Sequence, residues 1–135
     1  MPSSWRAWRG PRPPGKFALI AGLCGRTSQA RREAGTAKGL GYDAGLLSLG
    51  AWARDDEKAV LAHCRAVARE IPLVGFYLQP AVGGRVLTHA FWRRFVEIPE
   101  LVAIKIAPFH RYRTIDVVRA VMEAGRDDEI GRAHV

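Results

Sequence analysis

One pattern recurs four times along this chain: a short, nearly unbroken apolar run, then a polar segment whose apolar residues return at helical spacing. The runs are "KFALIAGLCG" (16–25), "AGLLSLGA" (44–51), "PLVGFYL" (72–78) and "LVAIKIA" (101–107). The segments between them are "TSQARREAGTAKGLG" (27–41), "DDEKAVLAHCRAVAREI" (55–71), "THAFWRRFVEI" (88–98) and "YRTIDVVRAVMEAGR" (112–126). In the second segment Val60, Leu61, Cys64, Val67 and Ala68 follow i, i+3, i+4, i+7, and in the third Phe91, Phe95 and Ile98 share a face. Thr27 or Ser28 is the expected N-cap of the first helix, and acids open the second, where they suit the helix dipole.

Strands apolar on both sides need helices to cover them, so four strand–helix units predict an α/β fold with a parallel sheet. Each unit takes about 28 residues, close to the ~30 of a βα repeat. Two architectures fit: an open doubly wound sheet or part of a (β/α)8 barrel. The dinucleotide version requires GxGxxG after a strand, and "AGLCGRT" places Gly22 and Gly25 at the wrong spacing. GxxxxGK[ST] is absent from the sequence as well.

The 21 lysines and arginines against 13 acids give a net charge of +8, which raises nucleic acid as a partner. Residues 1–16, "MPSSWRAWRGPRPPGK", carry Arg6, Arg9, Arg12 and Lys16 with no acid, and so hold half of that excess. This Pro- and Gly-rich opening has no hydrophobic period and is expected to be disordered. A basic α/β module that binds an acidic partner or nucleic acid through residues 1–16 and the Arg93–Arg94 and Arg111–Arg113 regions is the second functional reading. Cys24 and Cys64 form no CxxC pair, which suggests a reducing, cytoplasmic setting. The four histidines show no metal-ligand spacing, and no apolar run approaches membrane-spanning length, so no metal, cofactor or membrane is expected.

The residue that points to chemistry is Lys105, set in "LVAIKIA" with three apolar residues on each side. An unpaired buried ammonium is costly, so such a lysine either escapes to solvent or is held where a neutral amine is useful. Strand alternation puts Lys105 on a face with Leu101, Ala103 and Ala107, opposite the bulky Val102, Ile104 and Ile106. The same alternation in "PLVGFYL" puts Tyr77 with Leu73 and Gly75, opposite Val74, Phe76 and Leu78. Neighbouring strands would then hold a lysine and a phenol on one small-residue face near their C-terminal ends, where barrel enzymes keep their chemistry. The chemistry implied is Schiff-base catalysis: Lys105 attacks a ketone or aldehyde and Tyr77 relays protons. That reading fails if the two groups face opposite layers with the Lys105 nitrogen wholly hydrated.

"GFYLQPAVGG", followed 28 positions after Tyr77 by "IKIA", resembles the dihydrodipicolinate synthase/N-acetylneuraminate lyase family of class I aldolases. "IAGLCGRTSQARREAGTAKGLGYDAGLL" is similar to that family's third repeat. The resemblance covers about residues 17–128 and implies part of a (β/α)8 barrel, its strands three to six. It further implies a 2-oxo acid substrate such as pyruvate with an aldehyde partner, and a covalent imine on Lys105 in place of a cofactor. Tyr77 would be the proton relay and the whole enzyme a dimer or tetramer. Gly22, Gly75, Ala103 and Ala107 would give clearance. The departures are Leu78 for the motif's asparagine, Val82 where a carboxylate-binding arginine usually falls, and "GAW" with Trp52 in place of a tyrosine loop. Trp52 is accordingly a candidate substrate-binding residue or ordinary packing, and lysine biosynthesis is not the expected branch.

The domain reading divides the chain into 1–16, a basic or misframed start; 17–128, half a barrel; and 129–135, an extraneous tail. "IGRAHV" matches the translation of a string that looks like a sequencing-library adapter, so the natural reading is expected to end near Glu129 or Ile130. Such a fragment would leave two open sheet edges and an uncovered apolar face, and is expected to turn over little substrate.

Overall fold

The computed structural model describes residues 18–107 and 110–134; the basic opening segment lies outside the described residues. The order is β1 (Ile20–Leu23), α1 (Thr27–Gly39), β2 (Ala44–Leu47), α2 (Glu57–Ala68), β3 (Leu73–Leu78), α3 (His89–Phe95), β4 (Leu101–Ala107), α4 (Arg111–Glu123) and β5 (Gly131–His134). Short 3₁₀ turns at Gly50–Trp52 and Pro80–Val82 follow β2 and β3.

All strand pairings are parallel, and the strands lie side by side in chain order from β1 to β5. That order decides between the two architectures. A doubly wound sheet reverses direction at a switch point and so places helices on both faces. Sequential parallel crossovers of one hand keep every helix on the same side. Consecutive helices accordingly pack against one another, α1 on α2, α2 on α3 and α3 on α4.

The core lies between sheet and helices. Helix α1 contributes Ala30, Ala34 and Ala37, all fully buried, whose small side chains bring the helix close to β1 and β2. Helix α2 buries Val60, Leu61, Cys64, Val67 and Ala68, the face its spacing predicts, together with His63. Helix α3 adds Trp92 to the expected Phe91, Phe95 and Ile98 in an aromatic cluster, with ring centroids 5.1–5.7 Å apart for the Phe91–Trp92, Phe91–Phe95 and Trp92–Phe95 pairs. Asp56 caps α2 by accepting from the Ala59 N–H at 2.8 Å, and Thr88 caps α3 through the Phe91 N–H at 3.2 Å. Helix α1 departs from expectation: its N-cap is Arg26, without a side-chain cap, and the Thr27 hydroxyl turns to His63 instead.

The sheet gains a fifth strand beyond the four expected from the sequence. Gly131–His134 pair with β4 in the register Ala103↔Gly131, Lys105↔Ala133, so four strands become five. Helix α4 delivers the following chain to the β4 edge, whose N–H and C=O groups would otherwise lack a neighbour. The β4 alternation also breaks at its start. Val102 is 42% exposed where covering helices were expected, beside a register shift between Leu73 and Val74 on β3.

Candidate functional site

On β4 strand alternation puts Lys105 on the side expected of it. Ile104 and Ile106 are buried in the helix-covered core, while Ala103, Lys105 and Ala107 are only partly covered. Lys105 lies on the sheet face away from the helices and lines an open groove with Ile20, Gly22, Leu46, Val74, Ala103 and Ile104. Gly22 has nothing within 4 Å of where a Cβ would stand, so it leaves room in that groove.

On β3 the expectation fails, and the two groups do not meet. The register pairs Phe76 with Lys105 and Tyr77 with Ile106. Parallel register partners share a face, so Tyr77 belongs to the helix side. Its ring is 1% exposed and packs against Trp92 with centroids 4.8 Å apart. Its hydroxyl donates to the Leu87 carbonyl at 3.1 Å and accepts from the Leu87 N–H at 3.2 Å. The aromatic residue over the sheet from Lys105 is Phe76, whose ring centroid lies 5.1 Å from Nζ.

Gly75 explains the inversion. A Cβ there would stand 2.7 Å from Phe95 Cε1 and 2.8 Å from Cζ, so the missing side chain admits α3, not a substrate. The clearance assigned to Gly75 is therefore on the helix side, and Tyr77 follows it there two residues later. Replacing Tyr77 with Phe should cost about 1–3 kcal/mol, because both buried backbone groups of Leu87 lose their partner. Urea denaturation checks this.

Trp52, the candidate substrate contact, sits beside β2 at the strand C-termini but is turned inward and 6% exposed. Its Nε1–H donates to the Gly25 carbonyl at 3.2 Å, and its ring stacks on His63 at 4.3 Å and 28°. The Arg26 guanidinium covers the other face at 3.8 Å while holding Asp55 at 2.7 and 3.2 Å. Arg85 straps the same loop by donating to the carbonyls of Trp52 and Asp55. Trp52 thus locks the β1, β2 and β3 loops together, a packing role.

Burial, with a smaller contribution from Arg26, pushes the His63 imidazole down to about 4, and burial pushes the Cys64 thiol up to about 12. Neither cysteine is in a disulfide. No sequence signal singled out His63; its pairing with Thr27 joins residues 36 positions apart. Val82 is 57% exposed. Arg93, part of the basic-module reading, is engaged by Glu97 at 3.2 Å and Glu123 at 3.9 Å. No helix among the described residues is long and apolar enough to cross a membrane.

No protein-family model matches this chain, and no curated protein matches it. Solved structures do. Dihydrodipicolinate synthase from Agrobacterium tumefaciens superposes with a TM-score of 0.72 at 26% identity, over 87% of this chain and 41% of that one. The synthase from Bacillus clausii gives 0.71 at 22% identity, over 87% and 38%. A 3-dehydroquinate dehydratase from Geobacillus kaustophilus gives 0.66 at 20% identity, over 88% and 49%. The chain spans less than half the length of each of these structures. Sequential parallel strands, a single helix layer and these superpositions make one conclusion: the chain folds as part of a (β/α)8 barrel, with the fold of dihydrodipicolinate synthases and related lyases.

Proposed function

We propose that this chain is part of a class I aldolase or lyase that forms a Schiff base between Lys105 and a 2-oxo acid such as pyruvate. The observation that supports it is the position of Lys105, mid-sheet on the face turned away from the helices, beside two alanines and an open, largely apolar groove. In the reaction the Nζ lone pair attacks the carbonyl carbon, and the oxygen leaves as water to give an iminium ion. That ion accepts, as an enamine, the electron pair released when the bond between C3 and C4 of the oxo acid breaks, and the same enamine carbon attacks a carbonyl when the bond forms.

The proposal gives Tyr77 no part in these proton transfers, because its hydroxyl is committed to Leu87 on the other side of the sheet. Among the described residues lining the groove, none besides Lys105 titrates. The protons therefore pass through water or through groups supplied by the remainder of a complete barrel. Assembly of the whole enzyme as a dimer or tetramer, with an aldehyde as second substrate, belongs to the same proposal. So does little or no turnover by this chain alone.

Incubating the chain with pyruvate and sodium borohydride tests the imine directly. Peptide mass spectrometry should find the reduced adduct on Lys105, and Lys105→Met should abolish it. Label spread evenly over Lys16, Lys38, Lys58 and Lys105 would mean ordinary surface amines, and would end the proposal.

A further inference from the structure

We infer that Phe76 is the side chain that holds the Lys105 iminium and faces the oxo acid's substituent, an inference that rests on the Schiff-base reading above. The β3–β4 register sets Phe76 directly beside Lys105, and the ring centroid lies 5.1 Å from Nζ. A cation within about 6 Å of an aromatic face is attracted to it electrostatically.

The iminium keeps its positive charge at that nitrogen, so the same ring meets the intermediate. The groove that Lys105 lines is otherwise Ile20, Gly22, Leu46, Val74, Ala103 and Ile104, with no carboxylate among its described lining residues. The Phe76 face, beside Lys105 on the open side of the sheet, is thus a negative partner for the cation. Forming the bond joins Nζ to the carbonyl carbon and releases the carbonyl oxygen as water, so no oxidant or reductant enters.

The placement has a structural cause. Gly75 is pinned under Phe95, which sends the odd-numbered β3 residues to the helix layer and leaves the even-numbered ones on the open face, where Val74 lines the groove and Phe76 stands beside Lys105. A substituent on the carbonyl carbon would lie between Phe76 and the aliphatic lining. Substrates of this groove are therefore 2-oxo acids with an apolar side chain, which gain contact over pyruvate.

The test uses the whole chain, with pyruvate and 2-oxohexanoate as probes and borohydride trapping at subsaturating concentration. Phe76→Leu should lower the trapped fraction about two- to fivefold, the worth of one cation–π contact, while Phe76→Trp retains it. The wild type should trap 2-oxohexanoate in preference to pyruvate. A second readout needs no substrate. After reductive ¹³C-methylation, the Lys105 methyl resonance should show an upfield ring-current shift that disappears in Phe76→Leu.

Equal trapping in wild type and Phe76→Leu would overturn the inference even with the adduct confirmed. So would a methyl resonance that ignores the substitution. A ring-current shift without any adduct would instead sink the Schiff-base reading and leave the contact standing.

Discussion

Gly75→Val should destabilise the chain by about 3 kcal/mol, near the upper end for overpacking a core. A Cβ at this position meets the Phe95 ring at 2.7–2.8 Å, well inside contact distance, and valine adds two further methyls. Phe95 has little room to withdraw. It is buried, stacked on Phe91 at 5.7 Å and set edge-on to Trp92 at 5.1 Å. The helix must move, and Tyr77 and Leu87, which share that layer, lose packing with it.

Gly22→Ala is the matched control. Nothing lies within 4 Å of its Cβ position, so the change should stay within about 0.5 kcal/mol. Urea midpoints of the two variants separate the faces of the sheet. A tolerated Gly75→Val would mean that Gly75 opens into the groove and that Tyr77 joins Lys105 there, as strand alternation alone predicts.

That contrast marks where the sequence is legible and where it is not. Element type was readable because periodicity reports burial: alternating apolar runs and helical stripes place four strands and four helices within a few residues of their observed bounds. The face of β4 was readable too, since bulky Ile104 and Ile106 fill a core while Ala103 and Ala107 do not. On β3 the cue was ambiguous. Val74, Phe76 and Leu78 look like the core set beside Leu73, Gly75 and Tyr77, and a glycine on a strand face reads as clearance. Its space is taken by a phenylalanine 20 residues away, a tertiary fact that no local pattern carries. The register shift at Leu73/Val74 adds to this, because alternation counted within a strand says nothing about its neighbour's phase. The setting of His63 is illegible for a similar reason: a histidine on an apolar helix face reveals nothing about a tryptophan stacked over it from another loop.

That buried histidine should make the fold acid-sensitive in a defined window. His63 is 2% exposed beneath Trp52, its Nδ1 is 2.8 Å from the Thr27 hydroxyl, and its Nε2 is buried without a hydrogen-bond partner. Protonation would place a charge in that site, close to Arg26, and the imidazole is accordingly pushed from 6.5 to about 4. Because the unfolded chain binds the proton more readily, the stabilising effect is fully present above pH 6.5. It falls as pH drops from there to about 4, by about 3 kcal/mol. Asp55, whose carboxyl is held below its ordinary 3.8 chiefly by its hydrogen bond from Arg26, adds a further loss only at more acid pH.

Urea unfolding from pH 7 to pH 4 should therefore show a continuous decline in the wild type. His63→Phe preserves an aromatic ring under Trp52 while removing the titrating group, so its stability should stay nearly level across that range. The variant begins lower at pH 7, having lost the Thr27 hydrogen bond, and the two curves converge toward pH 4. A level wild-type curve would mean that water reaches the imidazole and that the Trp52–Arg26 cover does not seal it. An unchanged decline in His63→Phe would move the proton uptake to another group. Convergence of the curves, more than either curve alone, ties the acid response to the contact between helices α1 and α2, where Thr27 meets His63.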